Sequence, residues 1–159
     1  MHEIIISWFS GLPKELATFL IAIIPVTELR AALPIAVKVY KLSFFSAWFF
    51  SVMGTYAAMV LIVFFLDPVA NFLSKHIALF HKFFQWLFEH TRKRTGSKME
   101  KYGEWAIFIL SATPIPFVGG LTGALAAFVF GVPKKKSLPL LLFGTMVSGG
   151  IVLVLTIYL

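Results

Sequence analysis

The chain contains no cysteine, a single aspartate (Asp67) and only seven acidic residues in all among 159. Without thiols there is no thiolate nucleophile, no thiolate metal site and no disulfide framework. With one aspartate there is no two-aspartate intramembrane protease. Gly-x-Ser-x-Gly, Walker and His-Glu-x-x-His patterns are also missing, and Ser111 and Thr113 have no histidine nearby to act as base. The four histidines lack metal-ligand spacing: His76 and His81 point in different directions on a helix, and His2 and His90 are isolated. These absences argue against an enzyme and against ATP-driven transport by this chain alone. No metal or other cofactor is expected.

Charge is scarce as well. Charged residues make up 13% of the chain and AVILMFWYC 59%, whereas an average soluble domain is about 25% charged. A domain of this size has too little interior to hide 18 Phe and 4 Trp besides its aliphatic residues. Lipid must cover the remainder. The net charge of +7 then reads as a basic surface facing anionic headgroups. No nucleic-acid motif accompanies it, so no nucleic-acid partner is expected. Glu3 and the lack of a basic stretch before the first apolar run argue against a cleavable signal.

Two long apolar runs are present. Residues 44–66 hold 23 positions without charge or proline behind Ser43, a suitable helix cap. Leu138 to Leu159 is the second uncharged run, with Ser137 as its expected cap. The remaining apolar stretches are half-length. Behind Pro13 a helix of about 12 residues, roughly 18 Å long, meets Pro25. Thr27, Glu28, Arg30 and Pro34 follow, then an apolar arm to Lys38. Residues 105–110 likewise lead to Pro114-Ile115-Pro116, Gly119, Gly120 and Gly123, then to an arm ending at Phe130. Each pattern predicts a re-entrant hairpin, whose irregular backbone must be surrounded by protein or a wet cavity.

Between the halves, Asp67-Pro68 is expected to end the first span and open an amphipathic helix over 69–90. Ile77, Phe80, Phe83, Phe84, Leu87 and Phe88 would form its apolar face, lying in the headgroup plane. Arg92 to Gly96 reads as a polar break, and Ser97-Lys98-Met99-Glu100 has capping-box spacing for a helix starting near Lys98.

The halves repeat in layout. Pro25 and Pro114 are 89 positions apart, and Gly54-Thr55 and Gly144-Thr145 are 90 apart. A hairpin returns to its own side and one span then crosses, so the second repeat is expected to be inverted. The expected fold is therefore an all-α integral membrane protein in one membrane domain. It has two inverted repeats, 13–66 and 98–159, each a re-entrant helical hairpin plus one transmembrane helix, joined by an amphipathic connector over 67–97. Ten of the fourteen basic residues fall on the connector side, which the positive-inside rule makes cytoplasmic, with both termini outside. Inverted repeats with broken helices are typical of secondary transporters.

Glu28 and Arg30 are the sharpest candidates for chemistry, because ionisable groups at membrane depth are costly and usually functional. A desolvated Glu28 can exchange protons, and Arg30 offers a planar fork of donors to an anionic headgroup. A structural ion pair tying down the loop is the alternative. Pro25, Thr27 and Pro34 shape this break. Pro114, Pro116, Gly119 and Gly120 shape the second one, which would line a substrate path or simply permit tight packing. Gly144 with Ser148, and Thr145 with Gly149, mark a helix contact on the last span.

The segment Pro25-Val26-Thr27-Glu28-Leu29-Arg30-Ala31-Ala32-Leu33-Pro34 and the run from Pro114 to Ala124 resemble the small multi-drug export protein family of bacteria and archaea. The resemblance covers nearly the whole chain. It implies membrane transport in a prokaryotic cytoplasmic membrane. It also implies a distant kinship with the DedA (VTT/SNARE-associated) superfamily, whose paired re-entrant loops occur in lipid flippases and scramblases. The expectation is a proton-coupled transporter or flippase moving an amphipathic substrate, either a hydrophobic compound or an anionic lipid. Its partners would be membrane lipids and a second copy in a homodimer. The alternative is a non-transporting scaffold that organises lipid.

Overall fold

The computed structural model describes Ile4 and residues 7–115 and 119–159. Every regular element among them is helical: α1 (Lys14–Ile23), α2 (Glu28–Pro34) running into a π-helical turn (Ile35–Val39), α3 (Phe44–His76), α4 (Ala78–Tyr102), α5 (Trp105–Ala112), α6 (Gly120–Val129) and α7 (Lys134–Tyr158). The α3 and α7 helices are long and apolar enough to cross a membrane. Large apolar side chains stand exposed along them, Phe45, Phe65, Phe143 and Val154 among them. Exposed apolar side chains on helices of that length fit a membrane protein.

The chain divides into two compact units. The first comprises residues up to Ala58 together with Thr145–Leu159, and the second comprises Met59–Gly144. In the first, α1, α2 and the π turn close a core around Ala17, Ile21, Ala22, Ala32, Ile35 and Tyr40. Leu29 and Leu33 of α2 meet Val52 of α3 and Val152 of α7 in a second cluster. In the second unit, α5 and α6 pack on each other and on α4. The ten residues of α1 and of α6 span about 15 Å at 1.5 Å per residue, half a membrane core, while α2 and α5, of seven and eight residues, are shorter.

Several local expectations hold. Ser43 caps α3, its Oγ accepting from Ser46 N–H at 3.2 Å. Gly144, Ser148 and Gly149 are buried on α7. A methyl group at Gly149 would fall 2.7 Å from Val52 Cγ2, so α3 and α7 approach closely there.

The connector differs from expectation. Asp67-Pro68 neither caps nor breaks a helix, and α3 runs through both to His76. Inside the helix Pro68 forfeits the bond to the Phe64 carbonyl and its ring crowds that carbonyl, a cost of about 3 kcal/mol, yet the helix continues. Asp67 Oδ1 instead accepts from Asn71 Nδ2 one turn on, at 3.1 Å. The chain turns at Ile77, which takes extended backbone (φ −136°, ψ 114°). Nothing in the local sequence explains that choice.

Arg92 to Gly96 is helical too. Thr91 and Thr95 are buried there, and their hydroxyls donate back to Leu87 and Thr91 carbonyls at 2.8 and 2.7 Å. Bonded within the helix, they extend the packed face instead of ending it. The helix stops at Gly103, whose φ of 57° suits glycine. The next helix therefore begins at Trp105, not near Lys98. At the last span, Ser137 is a buried interior residue, and α7 starts earlier, at Lys134.

Candidate functional site

The first proline break is built by a problem of unpaired carbonyls. Pro25 has no N–H to offer the Ile21 carbonyl, which accepts instead from the Ile24 N–H at 3.3 Å, and α1 ends before Val26 can serve Ala22. In an apolar setting each orphaned carbonyl is expensive. Thr27 supplies the remedy. Its buried hydroxyl, bonded to the Ile21 carbonyl at 2.6 Å, lies 3.2 Å from the Ile24 carbonyl. From α3, Thr55 donates to the Ala22 carbonyl at 3.3 Å. Ile24 also accepts from the backbone N–H groups of Thr27 and Glu28, at 3.1 and 2.9 Å.

Thr27 is thus a backbone clamp. Pro25 and Val26 are exposed beside it. Thr55, named in the sequence only as a repeat marker, belongs to the same clamp. Its one signal was a hydroxyl inside an otherwise charge-free span.

Glu28 opens α2 in the left-handed region, with φ 41°. Such backbone costs a non-glycine residue about 1–2 kcal/mol. Its carboxylate acts on the charge of Arg30, and both side chains are half-buried. Pro34 closes the segment. Lacking an N–H, it frees the Arg30 carbonyl, and the helix passes into the π turn, where Tyr40 N–H reaches the Ile35 carbonyl at 3.0 Å. Such turns are rare and recur at functional sites. Pro25, Thr27, Glu28, Arg30 and Pro34 therefore form one continuous element. Beyond the residues singled out from sequence, two buried hydroxyls in this unit, Tyr40 and Ser51, find no hydrogen-bond partner among the described residues.

In the second unit, α5 ends ahead of Pro114 with Thr113 Oγ1 donating to the Ile109 carbonyl at 2.6 Å. Ser111 Oγ, donating to the Ile107 carbonyl at 2.9 Å, also lies 3.1 Å from that of Phe108. Pro114 is half-buried, Gly119 and Gly120 are buried, and α6 starts at Gly120. Pro116 lies outside the described residues. Among those described, this break carries no ionisable side chain, so it offers hydroxyls and backbone only.

The two breaks share one construction. A methyl group at Gly54 of α3 would collide with the Phe19 carbonyl and fall 2.7 Å from Ala22 Cβ. One at Gly144 of α7 would collide with Ser111 Oγ and fall 2.8 Å from the Phe108 carbonyl. No group of three or more potential metal ligands occurs among the described residues.

A family model described as "Putative small multi-drug export protein" matches residues 28–151. No curated protein and no solved structure matches the chain.

Proposed function

Because this chain belongs to the small multi-drug export protein family, we propose that it is a membrane transporter whose working element is the break around Glu28 and Arg30. The family points to a transporter rather than an enzyme, and the two long apolar helices fit a membrane protein. The observation that carries the proposal is the backbone of Glu28. A charged residue is held half-buried, with φ 41°, at the first position of α2, just past the apolar, half-membrane-length α1. Strain and buried charge both cost stability, and such outliers cluster at functional sites.

The proposed cycle uses the charge balance of the pair. With Glu28 ionised, its carboxylate offsets Arg30. Protonation of Glu28 frees the guanidinium fork to hold an anionic headgroup, and release of the proton displaces it. Proton and substrate are then coupled reciprocally through one residue. The substrate is amphipathic: a hydrophobic compound or a lipid with an anionic head. The short helices on either side of each break form re-entrant hairpins, in the manner of DedA proteins. Ten of fourteen basic residues would lie on the cytoplasmic side of a prokaryotic inner membrane, with both termini outside.

The test is movement of a fluorescent phosphatidylglycerol and of a lipophilic dye across vesicles containing the purified protein, with and without an imposed pH gradient. Glu28→Gln and Arg30→Ala should each slow movement at least about tenfold, the loss expected when about 1.4 kcal/mol is removed from the rate-limiting step. Both variants should still fold. Full rates in both would overturn the assignment.

A scaffold role is favoured by one observation, the close seating of Gly54 and Gly144 on their short helices. On that reading the breaks are packing devices. Neither probe would move even with the parent protein, and the pH gradient would have no effect.

A further inference from the structure

Helix α4 presents two distinct faces. One packs inward: Phe84, Thr91 and Thr95 are buried, and the Phe88 ring lies 5.3 Å from that of Phe128 on α6. The other carries a stripe at steps of three and four residues, continuing at a seven-residue step: Leu79, Phe83, Trp86, His90, Arg94 and Lys101. All six are exposed, Leu79 at 75% and Trp86 at 57%. At 3.6 residues per turn they fall in a sector about 80° wide, centred about 120° from the buried face.

The apolar face expected from sequence divides accordingly. Its Phe84 is buried and its Leu87 and Phe88 half-buried, while Phe83 belongs to the outer stripe.

The outer stripe changes character along its length. Its first two turns are apolar and aromatic, its middle is an imidazole, and its end is cationic. The rings are continuous: Phe83 and Trp86 lie 6.3 Å apart, and Trp86 stacks on His90 at 5.1 Å. A helix lying flat in the headgroup plane needs one apolar stripe from end to end. A stripe graded from apolar to basic suits a helix that enters the membrane surface at a slant.

We propose that α4 docks obliquely on an anionic lipid surface. Leu79, Phe83 and Trp86 sit in the acyl boundary, His90 lies at the glycerol level, and Arg94 and Lys101 rest on headgroup phosphates. Charge identifies the occupant: α4 carries six basic residues against two acidic ones. Connectivity agrees. Only Ile77 separates α4 from α3, and the start of α4 lies within about 20 Å of Leu66, the end of the charge-free run. The proposal needs the membrane reading but not transport through the Glu28 break, so either can fail without the other.

The absence of cysteine makes the test direct. Leu79→Cys, Phe83→Cys, His90→Cys, Arg94→Cys and Lys101→Cys are each labelled with a nitroxide in the full chain. The labelled proteins are reconstituted into phosphatidylcholine vesicles with or without phosphatidylglycerol. Accessibility to oxygen and to a water-soluble nickel chelate then gives depth. The oxygen-to-nickel ratio should fall several-fold in steady order from position 79 to position 101. The gradient should flatten when phosphatidylglycerol is left out. Equal depth at all five positions, uniform exposure to nickel, or exclusion of both reagents would each overturn the proposal; the last would mean that protein covers the stripe.

Discussion

One methyl group at Gly144 tests the packing of this chain directly. In the interior of an exposed helix, replacing glycine by alanine stabilises by about 0.5–1 kcal/mol, because alanine loses less backbone freedom on folding. Gly150 of α7 meets that condition: nothing lies within 4 Å of a Cβ placed there. At Gly144 the new carbon would collide with Ser111 Oγ, and would stand 2.8 Å from the Phe108 carbonyl and 2.9 Å from Ser111 Cβ. Ordinary contact begins near 3.5 Å, so α7 must retreat from α5 by about 0.6 Å or more. A carbonyl fixed in a helix cannot turn aside. Overpacking of this kind costs about 1–3 kcal/mol, which outweighs the gain in helix propensity.

Gly144→Ala should therefore lose about 1–2 kcal/mol while Gly150→Ala gains up to about 1 kcal/mol. At about 2–4 °C per kcal/mol for a chain of this size, their melting temperatures should differ by about 2–12 °C. The assay is thermal unfolding of both variants in the same detergent, followed by circular dichroism. Equal melting temperatures, or a more stable Gly144→Ala, would refute the close approach.

Substitutions at three further positions probe the first break and the first span. Thr27→Val removes the hydroxyl that serves the Ile21 carbonyl, which keeps its bond from the Ile24 N–H, and should cost about 0.5–1.5 kcal/mol; Thr27→Ser should melt close to the parent. Glu28→Gly relieves the left-handed backbone, worth about 1–2 kcal/mol. That variant should melt higher than Glu28→Gln, which keeps the strain, while both fail in the vesicle assay; a lower melting temperature for the glycine variant would refute strain at this position. Ser43→Ala removes the cap on α3 and should lower stability by about 1 kcal/mol, visible as a small drop in melting temperature.

The two spans and the half-length arms were legible because their signals are local. A charge-free run of 23 residues reads as a span, and Pro25 and Pro114 stand just past the ends of short apolar helices. The connector was not. Asp67-Pro68 has the composition of a helix start, yet α3 absorbs both the lost bond and the crowding of the ring and runs on to His76. The turn at Ile77 has no marker residue. At the site, Glu28 and Arg30 announced themselves by charge. The clamp from Thr55 to Ala22 spans 33 positions, so no local pattern holds it. The backbone of Glu28 was equally hidden, since left-handed backbone is expected of glycine.

The shared construction of the two breaks bears on why that pair of charges is there. In one unit Gly54 seats on Phe19 and Ala22, and in the other Gly144 seats on Phe108 and Ser111. The partners are 89 positions apart and the glycines 90. A buried threonine follows each glycine, Thr55 and Thr145. Identity between the halves is low, but a small residue recurs where a helix must approach a carbonyl. At the same offset, the positions matching Glu28 and Arg30 are Phe117 and Gly119. The second unit therefore builds the same close contact with no ionisable group at either place. Packing of this kind does not require the pair. What the first break retains beyond that contact is a strained acid and a half-buried guanidinium, and the substitutions above separate those from the glycine seat that both units share.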